Sequence, residues 1–580
     1  MRLSPKRVIL LLIGVLCIGT VGFVAFSLFG PSTPVVVSPQ TTYLTGPVDR
    51  FGRIDYVEAL RRQWSDGVTT DNNAAVLIWQ ALGPAEIPPE RQSSFFVELG
   101  IPALPLEGDY FVELDSDSMK PRIIEWMRGR ISLPNGSAPQ WTATGTEVSE
   151  GLPPDPDLSP MELESIYRMQ AVDAHQAFLQ LTDRTLHTPW RAEEFPPLVE
   201  WLELNKTPLE LTVEASKRTR YYSPLIIGDF GNGMGPLFSM MLPDVQRARG
   251  LARALCYRAM LRVGEGQPHD AWQDVQAVHR LARLIGGKGV LVEQLVAIAV
   301  DQMALRAGAA LLHEGELSND ELHEIHQYLM SLGPPCNIAD SIDKSERLAT
   351  LDTIAHISRY GFGDDSMGME NLLVRSGVNW NIPMQTMNRW YDRLAEAARH
   401  GAIAKRQAAM SAIENELPSL GRSVTPGALA GALFSRGKRS ELMGKVMAAM
   451  YLPAISAAQE AEDRSATALR LLQVAAALAI HRENEGSYPA ALEDLDPQLQ
   501  EGLPKDPYSG REFSYERRDD GYVLWSVGPN LLDDGASGQS LCRTIDGEFV
   551  PDDEPRDGND DDIVLRVPWS LAAPQDSNED

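Results

Sequence analysis

The most recognisable chemical pattern in the chain is formed by two histidines and a glutamate near its middle. His323, Glu324 and His326 approach the zinc motif HExxH, but the position four residues after His323 is Gln327. Zinc ligation needs imidazoles at i and i+4, so that both lie on one helix face beside a glutamate base. The broken spacing therefore predicts surface histidines on an amphipathic helix.

Glycine-rich and nucleophile patterns are also incomplete. The segment Asp229–Gly235 (DFGNGMG) contains three letters of a kinase motif, but it lacks the Lys-Ser/Thr of a phosphate loop. No Gly-x-Ser-x-Gly elbow and no ordered Ser-His-Asp pattern accompanies it. The sequence contains no complete catalytic signature, so we expect a protein without enzymatic activity.

Carboxylates in the helical region support an alternative function. Glu293 and Asp301 lie in a largely apolar helical stretch, where they could do acid–base work in an exported hydrolase or lyase. A pocket lined by converging carboxylates with shifted pKa values would favour this enzyme. A smooth stack of helical hairpins without a cleft would count against it.

Composition limits the possible partners. The 580 residues carry a formal net charge of −28, and 43% of them are hydrophobic, which is typical of a globular protein of three or four domains. The acid excess argues against nucleic acid or an anionic lipid surface as the main partner. Residues 530–580 hold 14 acids and 3 bases, so much of that excess lies at one end. Four cysteines cannot form a disulfide framework.

An apolar run near the N-terminus predicts a membrane anchor. Val8–Phe29 is a stretch of 22 uncharged residues, long enough to span a bilayer as a helix. Arg2, Lys6 and Arg7 precede it, which predicts a cytoplasmic N-terminus and a periplasmic body. A cleaved signal peptide is one alternative. A second crossing at Leu442–Ala458 is another, and it would return the C-terminal region to the cytoplasm.

The rest of the chain divides into regions of different composition. Helical periodicity is clearest in Pro243–Gly333, where apolar residues recur at helical spacing between short glycine turns, and it predicts stacked helical hairpins. We expect tryptophans on such stretches to be core residues: Trp64, Trp79, Trp272, Trp380 and Trp390. The predicted regions are a stub and anchor at 1–30, a linker at 31–50, a helical region at 51–240 with a Pro-rich loop at 133–160, a helical-hairpin scaffold at 241–436, an α+β domain at 437–535 and an acidic tail at 536–580.

The α+β domain contains an ordered series of short motifs. Ser440–Glu485 predicts one long helix bent at Pro453, which is followed by the glycine stop and Tyr-Pro exit of HRENEGSYP. LPKDPYSG leads into strands at Glu512–Arg517 and Tyr522–Val527, which flank an Asp-Gly turn, and then into LWSVGPNLLDDG. In this order the pieces resemble the soluble domain of a major pseudopilin of type II secretion.

The differences from that family affect the expected function. A pseudopilin begins with a processed apolar helix that carries a glutamate near its start, whereas Val8–Phe29 has no glutamate and the pilin-like region lies far downstream of it. We therefore expect a mainly α membrane-anchored protein with an appended pseudopilin-like module, not a fibre subunit. The resemblance implies a scaffold or binding role, with a cell-envelope or secretion-system protein as partner.

The resemblance also implies a calcium site. Some major pseudopilins bind calcium in their last loop, and the corresponding oxygen ligands here would come from Asp533, Asp534, Asp560, Asp561 and Asp562. Calcium takes six to eight oxygen ligands in flexible geometry. The alternative is a solvated acidic tail, because runs of like charge repel one another.

Overall fold

The computed structural model describes residues 30–130, 178–179, 181–228, 235–287, 289–361, 377–422, 425–519, 521–540, 544–545, 561–567 and 570–571. In these residues the chain is mainly helical, with a small and largely antiparallel sheet near the C-terminus. The predicted fold class is confirmed at that level. The predicted anchor, Val8–Phe29, and the Pro-rich loop at 133–160 lie outside the described residues.

Most helices before residue 335 contribute to one large core, whereas Tyr56–Ser65 belongs to a second core and Pro89–Leu99 to a smaller cluster. The helices of this part are α1 (Tyr56–Ser65), α2 (Ala74–Leu82), α3 (Pro89–Leu99), α4 (Lys120–Arg130), α5 (Pro196–Leu204), α6 (Lys206–Ser216), α7 (Pro243–Gly264), α8 (Pro268–Gly286), α9 (Leu291–Glu314) and α10 (Asn319–Ser331), and residues 181–187 are also helical. Between α6 and α7, the two-residue strands β1 (Ile226–Ile227) and β2 (Met240–Met241) pair antiparallel.

Most of the later helices contribute to a second core, whereas the buried residues at 468–480 belong to the large core, and the chain then leads to the C-terminal sheet. The later helices are α11 (Ile338–Ser341), α12 (Arg347–Tyr360), α13 (Asn381–Ala398), α14 (Ile403–Arg422), α15 (Pro426–Phe434), α16 (Arg436–Tyr451), α17 (Pro453–Glu485) and α18 (Pro497–Gln500). The five tryptophans predicted as core residues are all buried.

Local signals explain where several helices begin. The Asp55 side chain accepts a hydrogen bond from the backbone N–H of Glu58, and Asn73 caps α2 in the same way. Ser318 and Glu321 form a reciprocal capping box at the start of α10. Pro243 and Pro268 occupy the first position of α7 and α8, where a missing N–H removes no helical hydrogen bond.

Helix α9 is the central element of the large core. It packs against α7, α8 and α17, and α7 also packs directly on α8. The helices α7, α8 and α9 therefore form a mutually packed group, which differs from a stack in which each helix contacts only its neighbours. Among the described residues, α9 is the one helix with the length and hydropathy of a membrane span, and it is mostly buried in the protein body.

The long helix expected at Ser440–Glu485 is divided in the structure. α16 ends at Tyr451 and α17 begins at Pro453, with Leu452 between them. Pro453 has no backbone N–H, so it can start a helix but interrupts one that approaches from the N-terminal side. The second crossing considered at Leu442–Ala458 thus covers the end of α16 and the start of α17. Its buried apolar residues belong to the second core: Met447, Ala448, Leu452, Ile455 and Ala458.

The C-terminal sheet contains β3 (Ser514–Arg518), β4 (Gly521–Ser526), β5 (Gly538–Ser540) and β7 (Asp562–Val567) in the order β3-β4-β7-β5. The pair β3 and β4 is the predicted hairpin, with Tyr515 opposite Leu524. β7 pairs antiparallel with β4 and parallel with β5. Two further short strands, β6 (Thr544–Ile545) and β8 (Ser570–Leu571), pair parallel to each other.

The segment predicted as an acidic tail, 536–580, contains a strand of this sheet. β7 lies within the segment expected to be an acidic tail, yet Ile563, Val564, Leu565 and Val567 are buried. A continuous apolar strand can follow directly after a run of acids, and the acids hid it in the sequence.

The predicted linker is attached to the body. Thr33 N–H donates to Val378 O at 2.8 Å, and Asn388 Nδ2 donates to Thr41 O at 2.8 Å. Tyr56 OH donates to Thr42 O at 3.0 Å. The chain from Gly30 onward, including the predicted linker, is thus held against α1 and α13.

Candidate functional site

A small cavity lies where two helix N-termini approach a loop. The loop Tyr221–Ile226, the start of α7, residues Met241 and Leu242 before it, Trp64 of α1 and Glu293 of α9 line it. Its volume is about 30 Å³. A cavity needs roughly 10–15 Å³ on this measure to hold one water, so there is room for about two. Two of its lining residues, Asp244 and Glu293, are carboxylic acids.

Asp244 is placed by the start of α7. Pro243 occupies the first position of the helix, so Asp244 lies in its first turn, where the helix dipole favours a negative charge. Tyr221 OH donates a hydrogen bond to Asp244 Oδ2 at 2.8 Å. Asp244 is buried. Burial raises its pKa above the ordinary value, although hydrogen bonds from Tyr221 and Ser223 oppose the shift.

Glu293 is placed by the start of α9. Its Oε2 accepts a hydrogen bond from the backbone N–H of Val290 at 2.8 Å. A Cβ atom on Gly289 would clash with the same oxygen, so the carboxyl group packs where only glycine leaves space. Burial, followed by the charges of Asp244 and Glu346, raises the pKa of Glu293 to about 8.

Glu346 extends this group of acids. Its Oε1 accepts a hydrogen bond from Leu291 N–H at 2.6 Å, at the same end of α9. Burial raises the pKa of Glu346 as well, opposed by that hydrogen bond. Three carboxyl groups with raised pKa values therefore meet near the N-terminus of α9. We call Asp244, Glu293 and Glu346 the acid cluster.

The acid cluster has the properties of an acid–base pair. Glu293 is protonated at neutral pH if its pKa is about 8, so it could donate a proton. Asp244, held by Tyr221, is the candidate acceptor. Carboxyl groups whose pKa values are shifted by burial and by one another are typical of catalytic acids and bases, and also occur in structural networks. The cavity itself accommodates only a small group, so any larger substrate would have to bind at its mouth.

Asp301, the other carboxylate considered, lies elsewhere in α9 and in a different environment. Its Oδ1 lies 2.6 Å from His279 Nδ1 and 2.6 Å from Arg283 Nη1, both on α8. Burial acts to raise the pKa of Asp301, but His279 and Arg283 outweigh it and hold the pKa below the ordinary value. Asp301 does not line the cavity and forms a buried ion pair that joins α8 to α9.

The aspartates predicted to bind calcium are held by protein donors. Asp533 Oδ1 accepts from Trp525 Nε1 at 2.9 Å, and Asp534 Oδ2 accepts from Asn530 Nδ2 at 2.7 Å. Asp561 Oδ1 is 3.0 Å from Arg464 Nη2. Asp560 lies outside the described residues.

Asp562 begins β7 and is fully buried. Its Oδ2 accepts from Ala536 N–H at 2.8 Å, whereas its Oδ1 has no hydrogen-bond partner among the described residues. Burial, together with the charges of Asp534 and Asp533, raises the pKa of Asp562 to about 6. Within the described ranges no three acidic, histidine or cysteine side chains converge as metal ligands. Calcium binding stays a prediction.

The remaining candidates are distributed over the fold. His323 and His326 lie on α10 and are both partly exposed. Residues 229–234 of the glycine-rich segment lie outside the described residues.

Sequence reasoning named Glu293 but missed Asp244, Tyr221 and Glu346. A Pro-Asp helix start at Pro243 was a local signal for Asp244, whereas no local pattern could show that Tyr221 and Glu346 meet the same helix ends.

Comparison of the chain with known protein families, with curated proteins and with solved structures found no match.

Proposed function

We propose that this chain is a single-pass protein of the cytoplasmic membrane, with its N-terminus inside and its body in the periplasm, and that it acts as a non-enzymatic scaffold or binding protein. The apolar run Val8–Phe29 and the basic residues before it support the location. The pseudopilin-like order of motifs after Pro453 supports a partner in the cell envelope or the secretion machinery.

The observation that carries the binding role is the position of α17. Its buried residues Leu471, Leu472 and Leu478 belong to the large core, and α17 packs against α9 and α10 as well as β4 and β7. The helix that a pseudopilin module would contribute is therefore enclosed between the helical body and the sheet. This arrangement holds the sheet as a fixed platform, with β3 at its edge.

The edge strand β3 is the most direct place to test a partner. Glu516, Arg517 and Arg518 are exposed on it. Strand edges pair readily with other chains, and charged side chains regulate that pairing. Deletion of residues 437–580 would be a poor test, because it would uncover the α17 side of α9 and α10.

We would purify the full chain from detergent-solubilised membranes and compare it with the variant Arg517→Glu/Arg518→Glu. Arg62→Glu on α1 is the control, because Arg62 is exposed and far from β3 in sequence. Envelope or secretion proteins should co-purify with the wild type and the control, and be depleted with the β3 variant. The proposal fails if no such protein is enriched, or if the β3 variant retains the same set.

A second candidate function has one specific observation in its favour. The cavity lined by Asp244 and Glu293, with both pKa values raised, is the feature expected of an exported hydrolase or lyase. The test is a panel of ester, glycoside, phosphate and uronate substrates with the full chain. Turnover should disappear with Glu293→Gln and persist with Glu316→Gln, an exposed acid beyond the end of α9. Absence of turnover, or its survival in Glu293→Gln, counts against the enzyme.

Calcium is a further part of the proposal. Asp562 Oδ1, which has no hydrogen-bond partner in the described part of the chain, and the adjacent Asp534 supply hard oxygen ligands of the type calcium prefers. Calorimetric titration of the full chain with Ca²⁺ should give binding that Asp562→Asn abolishes and that Asp519→Asn, on the hairpin turn, leaves unchanged. No heat and no rise in melting temperature with Ca²⁺ would reject the site.

A further inference from the structure

Helix α15 is a short surface helix of unusual composition. Its nine residues, PGALAGALF, include no polar side chain. Leu429 is 49% exposed and Phe434 is 55% exposed, while Ala432 is buried. A helix that is apolar on all sides is normally enclosed by protein or by lipid. We therefore expect the exposed side chains of α15 to contact a further apolar surface, either protein or lipid.

The flanks of α15 carry only positive charge. Between Glu416 and Glu441 the chain has no acidic residue and four basic ones: Arg422, Arg436, Lys438 and Arg439. Arg422 and Lys438 are exposed on either side of the helix. This local excess is notable in a chain whose net charge is −28. The overall negative charge disfavours an anionic surface as the main partner of the chain. The flanks of α15 are locally positive, so that argument does not exclude contact between this helix and an anionic surface.

The structure connects α15 to the first described residue of the chain. Arg439 Nε donates to Ala432 O of α15 at 3.0 Å, and Arg439 Nη1 donates to Gly377 O at 2.8 Å. Gly377 N–H donates in turn to Gly30 O at 2.8 Å. Gly30 directly follows the predicted anchor Val8–Phe29. The Arg439 side chain and the residue Gly377 thus connect α15 to the point where the anchor would leave the membrane.

The attached linker strengthens this connection. Thr33 N–H donates to Val378 O at 2.8 Å, just before α13, and Val36 N–H donates to Oδ1 of Asn381, the first residue of α13, at 2.8 Å. Asn379 N–H also donates to Ser440 Oγ of α16 at 2.8 Å. A body fixed in this way cannot move far from the bilayer surface, because no free spacer separates it from the anchor.

We propose that α15 lies in the outer surface of the membrane as an interfacial helix, with Leu429 and Phe434 in the acyl region and Arg422 and Lys438 on anionic lipid headgroups. The proposal rests on the membrane anchor of the proposed function. An apolar helix flanked by basic residues is the expected form of an interfacial element. The anchor would attach the body to the membrane, and α15 would in addition fix the orientation of the body on the membrane surface.

The test uses the full chain reconstituted in vesicles that contain phosphatidylglycerol, with Cys17→Ser and Cys542→Ser as background. The remaining cysteines, Cys256 and Cys336, are buried. A bimane probe is placed on Phe434→Cys, and quenching by lipids with a nitroxide on the acyl chain is measured. The matched control is Leu204→Cys on α5, because Leu204 is also 55% exposed. We expect strong quenching at position 434 and at least a several-fold weaker effect at position 204.

Two further measurements make the outcomes distinct. Arg422→Glu/Lys438→Glu should reduce quenching at position 434 to the level found in phosphatidylcholine vesicles, and unchanged quenching would overturn the role of the charges.

Retention of the chain on vesicles after a carbonate wash reports on the anchor separately. If the chain is retained but the probe at 434 is no more quenched than that at 204, the proposal for α15 is wrong and the anchor stands. Loss of the chain in carbonate, with quenching at 434 before the wash, supports α15 and rejects the anchor. A disulfide between two copies at position 434 without lipid quenching would assign this face to a second copy and overturn the proposal.

Discussion

Helix α9 carries two carboxylates whose environments shift their pKa values in opposite directions. Glu293 and Asp301 are eight residues apart in the chain, or about 12 Å along the helix. Burial acts on both, but it raises the pKa of Glu293 to about 8, whereas the pKa of Asp301 lies below its ordinary value. The difference comes from the neighbours. Asp301 faces His279 and Arg283, and Glu293 faces other acids.

The two carboxylates therefore differ in role. Asp301 belongs to an ion pair that holds two helices together, whereas Glu293 has a pKa that allows it to exchange a proton near neutral pH. A buried acid with a cationic partner is ionised and holds two helices together. A buried acid among acids is desolvated and is repelled by the charges of its neighbours, so its pKa rises and it retains a proton that it can exchange near neutral pH. The sequence shows an acid in an apolar helix in both cases, and only the partners on α8 and α7 distinguish them.

The largest expected effect comes from breaking the ion pair. Asp301→Asn leaves the Arg283 guanidinium without its buried counter-charge and His279 without its carboxylate partner, so we expect the free energy of unfolding to fall by about 3 kcal/mol. Urea denaturation at neutral pH measures this loss. The exposed acid in Glu316→Gln is the control, with an expected change below about 0.5 kcal/mol. Equal effects for the two variants would show that Asp301 is not ionised in the folded chain.

For Glu293→Gln we expect a gain in stability, the opposite of the loss expected for Asp301→Asn. The folded pKa of Glu293, about 8, exceeds its ordinary value of 4.5, so the folded chain binds the proton more tightly than the unfolded chain. Wild-type stability therefore falls as pH rises from about 4.5 to about 8, by up to about 1.4 kcal/mol per pH unit for this group. Glutamine removes that dependence and should stabilise the chain relative to wild type in this window.

Denaturation at several pH values checks the prediction. The stability difference between Glu293→Gln and wild type should grow in favour of the variant as pH rises toward 8, and level off above it. A difference that is constant with pH would mean that Glu293 ionises normally in the folded chain. The same measurement on Asp301→Asn should show the reverse trend, with a deficit that shrinks in acid as wild-type Asp301 becomes protonated.

The fold was more accessible from the sequence than the site, and particular residues show why. Gly486 ends α17 in the left-handed conformation, and Ser318 caps α10, as their local sequences predict. The Asp-Gly turn correctly located the β3–β4 hairpin. These signals act over a few residues, so one sequence is enough to read them.

Features that depend on distant segments were missed. β7 was concealed because the acids before it suggested a solvated tail, although its partner β4 lies about forty residues earlier. The acid cluster depends on α7, α9 and the loop at Tyr221 meeting in space, which no local spacing encodes. Glu293 could be named from its apolar surroundings, but its raised pKa comes from burial in the folded chain and then from the charges of Asp244 and Glu346.

The smallest expected effect tests whether the acid cluster behaves as one unit. Tyr221→Phe removes the hydrogen bond to Asp244 Oδ2 and should cost about 1 kcal/mol at neutral pH. That hydrogen bond lowers the pKa of Asp244, so its loss raises the pKa further, and the deficit should be smaller near pH 4 than near pH 7.

Double variants complete the comparison. Above about pH 8, where Glu293 is ionised, Glu293→Gln removes a charge that opposes ionisation of Asp244. At such a pH, combining it with Tyr221→Phe should give a stability change that departs from additivity by about 0.5 kcal/mol or more. Tyr221→Phe combined with Asp301→Asn should be additive, because Asp301 has its own partners on α8. Non-additivity with Asp301 and additivity with Glu293 would reverse the distinction between the two carboxylates of α9. It would mean that Tyr221 and Asp244 depend on the ion pair, and that the acids around the cavity act independently of one another.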